Sequence, residues 1–248
     1  MINFKFHAKF SVVIIITFVC FTIIGTLSHE LGHILVAKSL GYDTKLDYGS
    51  MTYYPKGFNE LEEVKVLKKL NETYKDVDYE NLSEEVKDKY KRLQSVINSK
   101  YNYGENDSLL VSIGGPAQTI LTCFIGLLIL YLRRKIVDFK IIDWLGVFLS
   151  LFILREVFNY IMGIYDYLIY PKSNFNGDEY RISRILGYNE WIIPSITMVF
   201  GLMISLYIIF KVIPLKFRFS FIISGLIGGV VGFSVWFGFL GRLFFPID

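Results

Sequence analysis

The sequence predicts an all-α polytopic membrane protein of about five transmembrane helices with a polar, partly helical insertion on the non-cytoplasmic side. Three observations predict it. Of the 248 residues, 53% are hydrophobic and only 20% charged, against about 45–50% apolar in soluble domains. Most of the charge gathers in one central block. Apolar stretches at 10–27, 109–132, 141–169, 191–210 and 219–240 flank that block, each long enough to cross a bilayer, which takes about 17–25 helical residues.

The first stretch belongs to residues 1–40. Lys5 and Lys9 ahead of it resemble the basic flank of a signal peptide. The apolar run exceeds the ~7–15 residues of a signal core, however, and no small-x-small cleavage site follows. The helical pattern runs on to Leu40, so this segment is expected to remain as a span.

The insertion occupies residues 41–107. Residues 45–54 (KLDYGSMTYY) carry tyrosines and a threonine in partial alternation, the pattern of a short strand or hairpin. Leu61, Val64, Leu67 and Leu70 recur at helical spacing, as do Leu82, Val86, Tyr90, Leu93 and Ile97, with Ser83 placed to cap the second helix. Two such amphipathic helices form either a solvated hairpin or a gate over the outer face.

Residues 108–190 hold spans two and three, and 191–248 hold spans four and five. Arg133, Arg134, Lys135 and Lys140 separate spans two and three; Lys211, Lys216 and Arg218 separate spans four and five. With Lys5 and Lys9, the positive-inside rule makes all three places cytoplasmic. The N-terminus then lies inside, and the insertion and the loop 170–190 lie outside, as expected of a multi-pass protein of a bacterial cell membrane. In span three, Glu156, Asn159, Gly163 and Asp166 share one face by their 3-4-3 spacing. Polar groups at that depth face the bundle or a water-filled cavity; Arg155 and Glu156 equally suit a structural pair. In span five, Gly225/Gly229 and Gly228/Gly232 are small-xxx-small pairs, fit for packing within the chain or for a dimer face.

Composition excludes some classes of function. A net charge of +3 provides no basic stripe for nucleic acid. Cys20 and Cys123 both lie in apolar runs, with no Cys-x-x-Cys pair, so neither a disulfide framework nor a cysteine metal site is expected.

The chemistry concentrates at the end of span one, in His29-Glu30-Leu31-Gly32-His33. Two of only three histidines in the chain fall here. Four residues apart on a helix, their imidazoles project from one face and can bind one ion. Glu30, offset by about 100°, reaches the ion's open position from the side. Zinc in such a site lowers the pKa of water to about 7, and the glutamate serves as general base while that water attacks a carbonyl. A catalytic zinc takes three protein ligands and keeps a fourth position open. His7 lies 22 residues before His29, roughly 30 Å along a helix. A carboxylate is therefore expected. Asp178, in the loop ahead of span four, is on the same side as the histidines and is the expected ligand; Asp166 is the main rival and Glu179 a lesser one, and the other use of Asp178 is to cap the helix after it.

These segments resemble the site-2-protease-like intramembrane metalloproteases. The resemblance rests on His29–His33 continued to Gly41, on Gly114-Gly115-Pro116-Ala117-Gln118-Thr119, and on Gly177-Asp178-Glu179. It spans about residues 10–190 and leaves out the last span and the helical insertion. It implies one zinc ion per chain held by His29, His33 and Asp178, with Glu30 as base. It also implies cleavage of a peptide bond in or near the membrane, in a membrane-anchored peptide or protein. Here the order is Gly-Asp-Glu where the family carries Leu-Asp-Gly, and Thr119 stands at the position of the family's asparagine. Gln118 and Thr119 are thus candidates for holding substrate or its oxyanion; small-residue packing is the other use of this segment. A competing reading keeps the metal without proteolysis, as in an immunity, transport or scaffold protein.

Overall fold

The computed structural model describes residues 5–101, 104, 106–136, 138–169 and 177–245. Helix α1 (Ala8–Ser39) ends at Gly41, whose φ of 88° turns the chain into an antiparallel hairpin of β1 (Asp43–Leu46) and β2 (Met51–Tyr54). The insertion continues with α2 (Glu62–Thr73) and α3 (Glu84–Lys100). These helices pack on each other with Val64 and Ile97 buried, and are tied by Lys100 to Glu63 at 2.8 Å. Ser83 caps α3 by accepting from the Val86 N–H. Leu82 and Ile97 are buried while the charged faces stay exposed, so the periodicity read from the sequence selects the inner face.

Then follow α4 (Asp107–Arg133), α5 (Ile141–Ser150), α6 (Leu154–Ile169), α7 (Asp178–Ile185), α8 (Ile192–Tyr207), α9 (Leu215–Val235) and α10 (Gly241–Phe244). Among the described residues four helical runs are long and apolar enough to cross a membrane: Ala8–Ser39, Asp107–Arg133, Ile192–Val212 and Leu215–Phe244. The expected third span differs. It is broken into α5, a 3₁₀ turn at Leu151–Ile153, and α6. The cause is close packing on both sides of the break. A Cβ on Gly126 of α4 would meet the Ser150 N and, at 2.6 Å, the Gly146 O of α5, and one on Gly201 of α8 would lie 2.9 Å from the Ile153 O. The Ser150 hydroxyl donates to the Gly146 carbonyl at 2.7 Å, a local bond that bends helices.

Helix α5 runs antiparallel to α4, and Arg133 closes the connection by donating from Nε and Nη2 to the two Asp143 oxygens at 2.7 and 3.0 Å. Helix α9 runs parallel to α1: Gly228 packs on Ile15 and Phe18, and Gly232 on Val19 and Thr22. The Gly228/Gly232 pair therefore serves packing within the chain, while Gly229 faces open space. Apolar core residues Ile14, Val147, Phe148, Leu151, Ile208, Ile213 and Phe221 fill one end of the bundle. His7, Phe10, Trp144 and Phe217 stack beside them, which brings the three basic segments to that same end. At the other end, the Trp236 indole donates to the Tyr48 carbonyl at 2.7 Å, and the Tyr42 hydroxyl donates to Asp107. Burial, reinforced by the Asp107 carboxylate, pushes the Tyr42 phenol up to about 12, so it remains a proton donor at any physiological pH. The hairpin is thus pinned over the ends of α1, α4 and α9.

Candidate metal centre

His29, Glu30 and His33 lie in the last third of α1, and all three are buried. Facing them across the α1–α4 crossing are Gly114 and Gly115. The two backbones approach so closely that a Cβ on Gly114 would lie 2.6 Å from the Gly32 carbonyl. This is the close approach that small residues permit between helices in a bilayer.

Three donor atoms converge there. His29 Nε2 is 2.9 Å from Asp178 Oδ2, His33 Nε2 is 3.1 Å from the same oxygen, and the two Nε2 atoms are 3.3 Å apart. A tetrahedral ion with ligands at about 2.0–2.2 Å sets its donors about 3.3–3.5 Å apart, close to these separations. The far side of each ring decides which nitrogen is free. His33 Nδ1 lies 2.6 Å from the Val111 carbonyl, which can only accept, so that nitrogen carries the proton; the Gly115 N–H at 3.2 Å is a secondary contact. His29 Nδ1 lies 2.9 Å from the Thr119 hydroxyl, which can accept its N–H when Nε2 faces an ion. Each neutral ring then turns a lone pair at Nε2 toward the carboxylate oxygen. Three acceptors within 3.3 Å of each other repel unless a cation lies among them, and orienting bonds of this kind are what metal-binding histidines use. The buried His29–His33–Asp178 group can therefore hold a metal ion.

Asp178 is the first residue of α7; the cap position is Gly177, and no side chain caps the helix. Its carboxylate is turned to the imidazoles instead. Asp166 lies elsewhere, lining a smaller cavity of ≈ 120 Å³ with Arg155, Asn159, Gly163 and Tyr180 that touches Asp178 from behind. Glu179 is buried against Glu156, away from the donors. His7 is at the opposite end of α1, its backbone N–H bonded to the Ser220 hydroxyl at 2.8 Å.

Of the two candidates for holding substrate, the structure places Thr119 behind His29 and Gln118 against its own helix. Thr119 is 1% exposed and occupied by His29, and the Gln118 amide donates to Thr122 at 2.9 Å. About two helical turns earlier on α4, Ser112 lines the main cavity. Pro116 provides no N–H for the carbonyl four residues back, which loosens the helix at that level. That cavity, ≈ 390 Å³, is bounded by Glu30, His33, Asp178, Ser112, Arg155, Arg181 and Arg184, and by Gly49, Ser50, Met51 and Tyr53 of the hairpin. Arg155 Nη2 is 3.9 Å from Glu30 Oε1. The roles of Thr119, Val111, Ser112 and Arg181 carry no local sequence signal; only the tertiary contact reveals them.

No protein-family model, curated protein or solved structure matches the chain.

Proposed function

We propose that this chain is a zinc-dependent intramembrane endopeptidase that hydrolyses a peptide bond in or near the membrane of a membrane-anchored substrate. One observation carries the reading: His29, His33 and Asp178 converge beside a cavity onto which Glu30 also opens. Two nitrogens and one carboxylate oxygen are a catalytic zinc set with a position left open. Bound there, zinc supplies the Lewis acid that polarises a carbonyl and acidifies a water. The chain's own residues do the rest. Glu30 takes the proton of the attacking water and returns it to the leaving amine. Thr119 and the Val111 carbonyl keep the histidines in the binding tautomer. Glutamine at Glu30 is expected to retain zinc and lose roughly 10²–10⁴-fold in cleavage. Purified wild type and Glu30→Gln, assayed for zinc per chain and incubated with a panel of reconstituted single-span proteins, provide the test. Absence of zinc from both proteins sinks the reading.

The substrate runs extended along β2, whose residues Met51 and Tyr53 line the cavity while β2 pairs with β1 on its other edge. Proline placed in turn at Met51, Thr52, Tyr53 and Tyr54 is expected to slow cleavage by roughly three- to tenfold wherever it removes an N–H facing away from β1. Zinc content should stay unchanged. Four prolines without effect on cleavage would rule out strand addition.

The basic ends of the bundle are cytoplasmic in this proposal, and the metal centre lies toward the outer side. Arg184 pairs with Glu190 at that outer end. A cysteine at position 190 is therefore expected to react with an impermeant reagent added to intact cells. Labelling only after lysis would reverse the orientation.

A further inference from the structure

The main cavity carries guanidinium groups that the hydrolysis scheme leaves unused. Three arginines line it: Arg155 from α6, and Arg181 and Arg184 from α7. Arg184 is balanced by Glu190 at 3.1 Å. Neither of the other two has a carboxylate within hydrogen-bond distance among the described residues. Arg155 is mostly buried, with 27% of its side chain exposed, and its nearest carboxylate among the described residues is Glu30 at 3.9 Å, beyond hydrogen-bond distance. Its Nε is buried without a partner among the described residues. Arg181 lies three residues after Asp178, so one helical turn carries it along the same face of α7 toward the same cavity. It makes no side-chain hydrogen bond or ion pair among the described residues. The neighbouring stretch 170–176 (YPKSNFN) contains no aspartate or glutamate, so its sequence provides no carboxylate for either arginine.

The cavity's own carboxylates are both committed, Glu30 to proton transfer and Asp178 to the ion. A divalent cation adds further positive charge. The buried Arg155 Nε left unfilled is costly, while Arg181 is exposed and adds its charge at the cavity wall; a planar anion that takes two parallel N–H bonds satisfies guanidinium groups best. We propose that this cavity is an anion-recognition subsite in which Arg155 and Arg181 hold a carboxylate of the substrate peptide next to the scissile bond. The inference rests on the peptidase reading and names the substrate class for it: peptides carrying an acidic side chain, or a free C-terminus, close to the bond that is cut.

Three hydroxamate probes separate the possibilities, since a hydroxamate anchors on the metal and reports binding without turnover. One joins the hydroxamate to leucyl-glutamine amide. The second carries leucyl-glutamate amide, and the third carries leucyl-glutamine with a free C-terminal carboxylate. Their dissociation constants are measured on zinc-loaded wild type, Arg155→Gln and Arg181→Gln. One carboxylate probe is expected to bind wild type roughly tenfold tighter than the neutral probe, and the identity of that probe distinguishes side chain from terminus. The ratio should fall toward one in both variants and shrink as salt is raised. Because the ratio is taken within each variant, binding of the neutral probe certifies an intact metal site. No advantage in wild type, or an advantage that survives both substitutions, overturns the subsite and leaves the metal reading standing. Failure of all three probes to bind zinc-loaded wild type overturns the peptidase reading and the subsite with it.

Discussion

Alanine at Asp178 is expected to weaken zinc binding by more than about 100-fold, whereas asparagine at Asp166 leaves it unchanged. Loss of a residue that merely orients a ligand costs about 10–100-fold, and loss of a ligand exceeds that. The two histidines approach the ion from one helix and one side. Asp178 closes the site from 149 positions after His29, and its Oδ2 is the only oxygen within 3.1 Å of both ring nitrogens among the described residues. Removing it leaves two nitrogens 3.3 Å apart with an open flank toward the cavity. The substitution spares the fold because α7 is held by buried Tyr180, Ile182 and Ser183 rather than by Asp178. Competition against a chelator of known affinity checks the result. Undiminished zinc binding by Asp178→Ala would remove Asp178 from the ligand set.

Parts of this site are legible in the sequence because they depend on local periodicity. His29 and His33 share a face because they are four residues apart on a helix, and the structure keeps them on that face. Asp178 is reachable by an argument about sides: loops between spans alternate, and the loop before α8 returns to the end of α1 where the histidines lie. The hairpin at Asp43–Tyr54 follows from the tyrosines and the alternation. What the sequence conceals depends on contact between distant segments. The 3₁₀ break at Leu151–Ile153 sits in an unbroken apolar run, because hydropathy reports composition and not the carbonyl geometry that Gly126 and Gly201 impose from α4 and α8. The motif around Thr119 leaves substrate contact and helix packing both open. The position of Thr119 one turn beyond Gly115 turns it to the back of the His29 ring. Arg155 and Arg181 are 26 residues apart in the sequence and meet only through the cavity wall.

Alanine at Gly115 is expected to abolish zinc binding, although Gly115 supplies no ligand atom. A methyl group built there would meet Nε2 of both His33 and His29, the two atoms that face the ion. Neither ring can retreat, since His33 Nδ1 is held by the Val111 carbonyl at 2.6 Å and His29 Nδ1 by Thr119 at 2.9 Å. Relief requires α4 to move away from α1, and forcing extra methyl groups into a packed contact costs about 1–3 kcal/mol. Such a movement also carries Val111 and Thr119 away from the rings they orient, so the tautomer lock and the donor triangle fail together. Gly229→Ala in α9 is the matched control: it is also a helical glycine in an apolar span, but its added methyl has nothing within 4 Å. It should keep full zinc stoichiometry and unaltered helix content. If Gly115→Ala keeps its zinc as well, the α1–α4 spacing described here is wrong by more than the volume of a methyl group. If it loses zinc while its helix content matches Gly229→Ala, the glycine pair acts on the site itself and not merely on the stability of the bundle.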